Sequence, residues 1–380
     1  MKTFLQPLQN LAEMEEIQKQ AKKNRGILEI SGCMESQKAH LMYGLSGLFP
    51  CHLVIAADEK SAKELYEDYR FYDKRVYYYP AKDLLFFQAD IHGNLLIRQR
   101  MQVIRALLER EGEITVVTSI DGCMDYLAPL EKIEKQLIHF RNDSALDMDK
   151  LTAALVHMGY ERVGQVEMPG QFSIRGGIID IYSLTEENPW RIELWGDEID
   201  SIRSFDAQSQ RSLENLDDVT IYPAAEQPME KNGVSFLDYF KETETLFFLD
   251  ELNHLEENAK AVQEEFQQSC ENRKEKGEIS LSGDWMCTWE ELCHKINDRN
   301  CVAMSLLDPK KSNWKISGQF NITVKSMSSY QSSFELLVKD LKQYKKRISD
   351  RFAVRFQNPC RTSGKRSSGR RSERILRTGF

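Results

Sequence analysis

Two stretches of this sequence hold the residue types of a nucleotide-hydrolysing site. After the apolar run ILEIS (27–31) the chain reads Gly32-Cys33-Met34-Glu35-Ser36-Gln37-Lys38-Ala39 and enters a helical pattern. A working phosphate loop has the form G-x-x-x-x-G-K-[ST]. Its backbone N–H groups and lysine hold phosphates, and its hydroxyl holds Mg²⁺. Gly32 and Lys38 stand in register with that form. Gln37 replaces the second glycine, whose missing side chain lets the backbone curl around phosphate. Ala39 replaces the hydroxyl, and Glu35 adds a negative charge where an anion would sit. The second stretch, LFFLDE (246–251), is an apolar strand ending in Asp250 and Glu251. That is the form of the Mg²⁺-ligating, water-activating pair of phosphate-loop motors. Acids there also cap a following helix. Together, Gly32, Lys38, Asp250 and Glu251 read as a relic nucleotide site, expected to be inactive. The alternative is an ordinary strand–turn–helix with a capping acid. No catalytic residue is assigned, and this chain is not expected to be an enzyme. The 8 cysteines include no C-x-x-C pair. Cys287, Cys293, His294 and Cys301 have the spacing of no usual zinc site, so no metal is expected.

The elements that would position these residues follow from periodicity. Leu8, Leu11 and Ile17 predict a first amphipathic helix. GILEISG (26–32), LVIAA (53–57), VYYY (76–79) and ITVVTS (114–119) predict buried strands alternating with helices, one of them through Ile97, Met101, Ile104 and Leu108. Such alternation implies a mostly parallel α/β layer. From about residue 128 the pattern changes. A helix through Leu151, Leu155 and Met158 precedes the short β runs VGQVEMP, QFSIRG, GIIDIYSL, WRIELWG and EIDSIRSFD, separated by Pro-Gly, Gly-Gly, Asn-Pro and Gly-Asp turns. The expected class is therefore α/β: a degenerate P-loop-like parallel layer (1–127 and 223–346) with an inserted small α+β antiparallel-sheet domain (128–222).

Charge separates a further segment. Residues 347–380 hold ten Lys/Arg and two acids, a charge of +8 in a chain whose net charge is −8, which leaves −16 on residues 1–346. An acidic body argues against broad non-specific nucleic-acid binding. The tail is Ser/Arg/Gly-rich without apolar period, as in a disordered basic arm. No apolar run reaches the ~18 residues of a membrane span, and the N-terminus is polar. A cytoplasmic protein with no membrane partner is expected.

PGQFSIRGGIIDIYSLTEENPWRIELWGDEIDSIRSFDAQSQRS (169–212) resembles the second domain shared by UvrB, the damage-verifying subunit of the bacterial excision nuclease, and the transcription-repair coupling factors. Residues 76–108 followed by ITVVTSIDGCMDYLAP (114–129) are similar to the first domain of the coupling factors. FLDYFKETETLFFLDELNHL (236–255) is similar to the UvrB segment ending in D-E-S-H, with Leu252 and Asn253 in place of its Ser and His. The resemblance covers roughly residues 1–346 as a truncated N-terminal UvrB-homology module. No tyrosine-rich DNA-clamping hairpin is found, which favours the coupling factors over UvrB.

The resemblance implies a module that recruits UvrA, the A subunit of the excision nuclease, in transcription-coupled nucleotide excision repair. It places Arg162, Arg175 and Trp195 on the recruiting surface. Ser173 stands where UvrB has a further arginine. Full-length members also contact RNA polymerase and translocate on double-stranded DNA with ATP and Mg²⁺. The domains for those activities are not found in this sequence. An ATP-dependent DNA translocase is the alternative a whole-family reading would give. The tail from Arg347 departs from the family's continuation. Read one base later with ordinary codons, it spells a strand–turn–helix text. A frameshifted tail is therefore expected, against a basic arm that binds nucleic acid. The gene sequence past codon 346 decides between them: a one-base correction that opens into motor motifs supports the frameshift, and early stops reject it.

Overall fold

The computed structural model describes residues 2–82, 94–226, 233–276, 286–307, 314–322 and 333–345, apart from 10, 12 and 24. The chain divides into two units, Met1–Met327 and Ser328–Phe380. In the second, the described structure is one helix, Phe334–Lys345. The basic tail lies outside the described residues. Among the described residues no helix is long and apolar enough to cross a membrane.

The first unit is organised by a seven-stranded, all-parallel sheet. Its order is Ile316–Asn321, Gly26–Ser31, Asn300–Ser305, Thr245–Asp250, Cys51–Ala56, Ile114–Ser119, Val76–Tyr79. Strands from both sides of the small module share it, with Gly26–Ser31 set between two that follow the module, so the two α/β stretches build one layer. Successive side chains of a strand point to opposite faces. Leu246 and Phe248 join one core with helices Met14–Lys23, Glu35–Ser46 and Glu59–Tyr69. Phe247 and Leu249 join the other with helices Asn94–Glu109, Leu252–Glu275 and Trp289–Asn297. Burial on both faces is why these strands are near-continuous apolar runs.

Residues 128–226 carry a second sheet of six strands in the order Ser212–Leu216, Glu198–Phe205, Trp190–Trp195, Ile178–Ile181, Gln171–Arg175, Glu161–Arg162. It is antiparallel except at the edge pair Glu161–Arg162 with Gln171–Phe172. Leu151 and Leu155 of helix Met148–His157 pack with Phe172, Ile179, Ile181, Trp190 and Ile192 to form its core.

Two elements differ from the sequence expectation. The first helix is two, Lys2–Gln9 and Met14–Lys23, joined by turns in which Leu11 N–H donates to Leu8 O and Met14 N–H to Leu11 O, both 3.1 Å. Apolar residues at every third position drift off a 3.6-residue turn. Breaking the helix lets Leu8, Met14 and Ile17 all be buried. VGQVEMP is a loop rather than a strand. The N–H groups of Glu167 and Met168 donate to Gln171 Oε1, and Val166 O accepts from Gln210 Nε2. Side chains satisfy backbone groups that a ladder would otherwise pair.

The two layers meet at helix Asn94–Glu109. Arg98 and Arg105 reach Glu186 of the small module, and Tyr222 reaches Glu109. Beneath them lies Arg100, fully buried. Its Nε donates to Glu226 Oε1 at 2.6 Å, Nη2 to Glu226 Oε2 and Asp125 Oδ2 at 3.1 Å, and Nη1 to Pro80 O at 2.8 Å. Its guanidinium lies 4.2 Å from the Tyr79 ring centroid. Burial disfavours the Glu226 carboxylate, yet Arg100 and Lys82 outweigh it and hold its carboxyl down at about 2. Replacing Arg100 with Met leaves Asp125 buried without its ion-pair partner and Glu226 with Lys82 alone. Urea titration should show a loss of about 3–5 kcal/mol, and an Arg100→Met chain as stable as wild type would show the clamp to be dispensable.

Candidate functional site

The expected relic site lies at the carboxyl ends of the parallel strands. Gly32 follows its strand with φ +79°, and a Cβ there would stand 2.2 Å from the Ile322 carbonyl oxygen. The chain beyond Ile316–Asn321 passes directly over this turn, with Ile322 N–H donating to Ser31 O at 2.9 Å. The glycine thus makes room for protein backbone. Cys33 N–H donates to Ser305 O at 3.0 Å, and the N–H groups of Gln37 and Lys38 both turn back to Met34 O. Three backbone donors that a phosphate loop would aim at an anion are therefore used within the protein. Burial pushes the Cys33 thiol up to about 12, so it stays protonated at neutral pH.

Lys38, in helix Glu35–Ser46, is brought to the two acids by the sheet order, since the strand before that helix, Gly26–Ser31, is separated by one strand from the strand that carries Asp250. Its side chain is buried, and Nζ donates to Asp250 Oδ1 at 2.5 Å and Glu251 Oε1 at 2.7 Å. Burial disfavours the ammonium, but attraction to Asp250 and hydrogen bonds to both acids override this and raise its pKa. Glu251 sits at φ +54°, in the left-handed region. That conformation costs a side-chain-bearing residue about 1–2 kcal/mol. It aims Oε1 at both Lys38 and the Leu306 N–H, 2.9 Å away, while Glu251 N–H donates to Met304 O at 3.0 Å.

These residues do not fit a nucleotide triphosphate. The lysine is engaged by two carboxylates, which give the site a surplus negative charge. Gln37 fills the second-glycine position, and Ala39 is fully buried without a hydroxyl. Among the described residues no group of three or more His, Cys, Asp or Glu side chains could hold a metal ion. Cys287 and Cys301 are core residues, and His294 is exposed.

The expected recruiting residues lie far from this site in the sequence, on the small module. Trp195 ends strand Trp190–Trp195 and is 83% exposed. The turn that follows it has Gly196 at φ +65°. Trp190, Ile192 and Leu194 face the core, so the pleat turns Arg191, Glu193 and Trp195 outward. Arg175 ends the neighbouring strand but one, at the same end of the sheet, in register with Ile178 and through it with Glu193. Phe172 and Ile174 face the core, which puts Arg175 on the outward face with Trp195. Arg162 is exposed on the short edge strand and pairs with Phe172. Register therefore places it on the alternate face, at the rim. Ser173 is buried and its Oγ donates to Gly164 O at 3.0 Å, tying down the loop before Pro169.

Sequence reasoning missed Asp180, Arg191 and Arg203. Asp180 is fully buried and takes Arg175 Nη2 at 2.6 Å, Arg191 Nε at 2.7 Å and Arg191 Nη2 at 2.9 Å. Arg203 pairs with Glu193. The available signal was the alternation itself: an acid inside the apolar run GIIDI, with arginine opposite in WRIEL.

Residues 138–226 match the family described as the UvrB interaction domain. Over 222 residues the chain is 39% identical to the transcription-repair-coupling factor of Bacillus subtilis (strain 168), a match taking in 53% of this chain and 19% of that protein. It is 35% identical over 164 residues to the transcription-repair-coupling factor of Staphylococcus aureus (strain MRSA252), covering 43% of this chain and 14% of that protein. The Staphylococcus haemolyticus (strain JCSC1435) protein of the same name is 35% identical over 162 residues. The chain thus spans less than a fifth of the length of these relatives, with 19% the largest share of the three.

The lysine lock has a measurable pH signature. In Lys38→Met, Asp250 and Glu251 face each other without a cation, so the folded state must protonate one of them or bear their repulsion. The unfolded chain ionises both above pH ~4. The mutant's stability deficit, read by urea unfolding, should therefore grow as pH rises from 5 to 8. A deficit that is flat with pH would show that Lys38 acts only through packing.

Proposed function

We propose that this chain, whose residues 138–226 are a UvrB interaction domain similar to part of the transcription-repair-coupling factors, is a binding module of transcription-coupled repair that recruits UvrA. The observation that carries this reading is the pairing of an indole 83% exposed, Trp195, with Arg175 on one outward face at one end of the sheet. Aromatic and arginine side chains dominate binding energy where they reach an interface centre. A planar guanidinium engages carboxylates with two parallel hydrogen bonds. Arg162 would add a rim contact from the edge strand.

The same reading makes the chain a non-hydrolysing partner. Lys38 is neutralised within the protein, and the turn at Gly32 is covered by backbone. A translocase reading, drawn from the names of much longer relatives, would need those groups free to face nucleotide. RNA polymerase and double-stranded DNA would be contacted by other parts of such a protein.

Calorimetry of the chain against purified UvrA tests recruitment. Arg162→Ala with Arg175→Ala should weaken binding at least about tenfold while circular dichroism stays unchanged, as should Trp195→Ala. Undiminished binding by both variants would move the surface elsewhere. Phosphate release from ATP should match a protein-free control, and turnover that Lys38→Ala abolishes would return the chain to the motor class.

A further inference from the structure

Recruitment by an arginine requires more than its exposure. A surface guanidinium samples many rotamers, and binding must freeze them. Arg175 is different because one edge of its fork is already held. Its Nη2 donates to Asp180 Oδ2 at 2.6 Å, while its side chain stays 48% exposed.

Asp180 can serve as an anchor because it is itself fixed. It stands in the middle of the sheet, in register with Ser173 on one side and Arg191 on the other. Arg191 grips both of its oxygens, Nε to Oδ1 and Nη2 to Oδ2. Arg191 in turn donates to Gln210 Oε1 at 3.1 Å, and its guanidinium lies 4.4 Å from the Phe205 ring centroid. The two-point grip sets the plane of the carboxylate, and that plane sets the direction in which Oδ2 meets Arg175.

The charges also leave a remainder. Two arginines share one carboxylate, so one positive charge stays unbalanced, and it lies on the more exposed arginine. The neighbouring outward acid, Glu193, is taken by Arg203. The remaining N–H donors of Arg175 suit a partner carboxylate.

We propose that Asp180 is a positioning residue of the recruiting surface, presenting Arg175 ready-oriented to an acidic side chain of UvrA. This rests on the recruitment reading above. Asp180 touches no partner atom and acts through Arg175.

The experiment is a double-mutant cycle on the full chain, with affinity for purified UvrA by calorimetry and melting temperature measured in parallel. Asp180→Asn should weaken binding about tenfold, as should Arg175→Ala. The double variant should bind within about twofold of Arg175→Ala, because the anchor has nothing left to hold. Melting temperature should instead drop by similar amounts when Asp180→Asn is added to either background, since the grip of Arg191 is lost in both. Asp180→Glu keeps the charge but lengthens the arm, and it too should lose affinity. If Asp180→Asn costs the same affinity with and without Arg175, the residue acts through the sheet and the positioning role is overturned. Wild-type affinity in both Asp180 variants overturns it as well. A wild-type chain that gives no binding heat sinks the recruitment reading itself, whereas binding insensitive to Arg175→Ala removes only the inference made here.

Discussion

One buried cation ties together three of the stretches by which the two layers of this protein are joined. Arg100 is bonded to a strand end (Pro80), to the exit from the parallel layer (Asp125) and to the return from the small module (Glu226). A charge taken wholly out of water is tolerable only when its hydrogen-bonding groups find partners. Here that demand is met by residues from three separate stretches of chain. The junction therefore has little freedom to loosen by degrees, because shifting any one stretch strands a charge. The surface contacts Arg105–Glu186 and Tyr222–Glu109 add to a geometry already set from below.

The same chemistry, used at the strand tips, has the opposite functional sense. The Lys38–Asp250–Glu251 lock keeps three residue types of a nucleotide site in their sequence positions while turning them on one another. Motif reading sees the positions alone. The structure adds direction: backbone covers Gly32, the loop donors point at carbonyls, and the left-handed Glu251 reaches back to the lysine. Gln37 and Ala39 already depart from the motif, and the structure turns inward the two residues that keep to it, Gly32 and Lys38.

That contrast also explains what could be read from the residues alone. Strands such as ITVVTS and TLFFLD were legible because burial on both faces leaves an unbroken apolar run. Arg175 and Trp195, the residues proposed for recruitment, were legible only through a resemblance, since exposure leaves no periodic mark. Arg100, Asp180 and Glu226 escaped notice because a buried charge is intelligible only beside partners distant in sequence. Arg100 even sits among Ile97, Met101 and Ile104, where period predicts a core residue, and it is one. The loop 163–169 was misread because its backbone is satisfied by the side chains of Gln171 and Gln210, which no local pattern encodes.

The interleaved order of the large sheet has a consequence for how the chain is made. Strand Gly26–Ser31 lies between Asn300–Ser305 and Ile316–Asn321, and Cys51–Ala56 borders Thr245–Asp250. On the ribosome each of Gly26–Ser31 and Cys51–Ala56 emerges with both its neighbours still untranslated, since Ile114–Ser119 also follows Cys51–Ala56. Pairing at such sequence separation is slow, and bare apolar strands invite aggregation. The small module between them, whose six strands and helix are contiguous in sequence, can complete itself first. Vectorial synthesis would thus present a finished small module on a chain whose parallel layer still waits for its last strands.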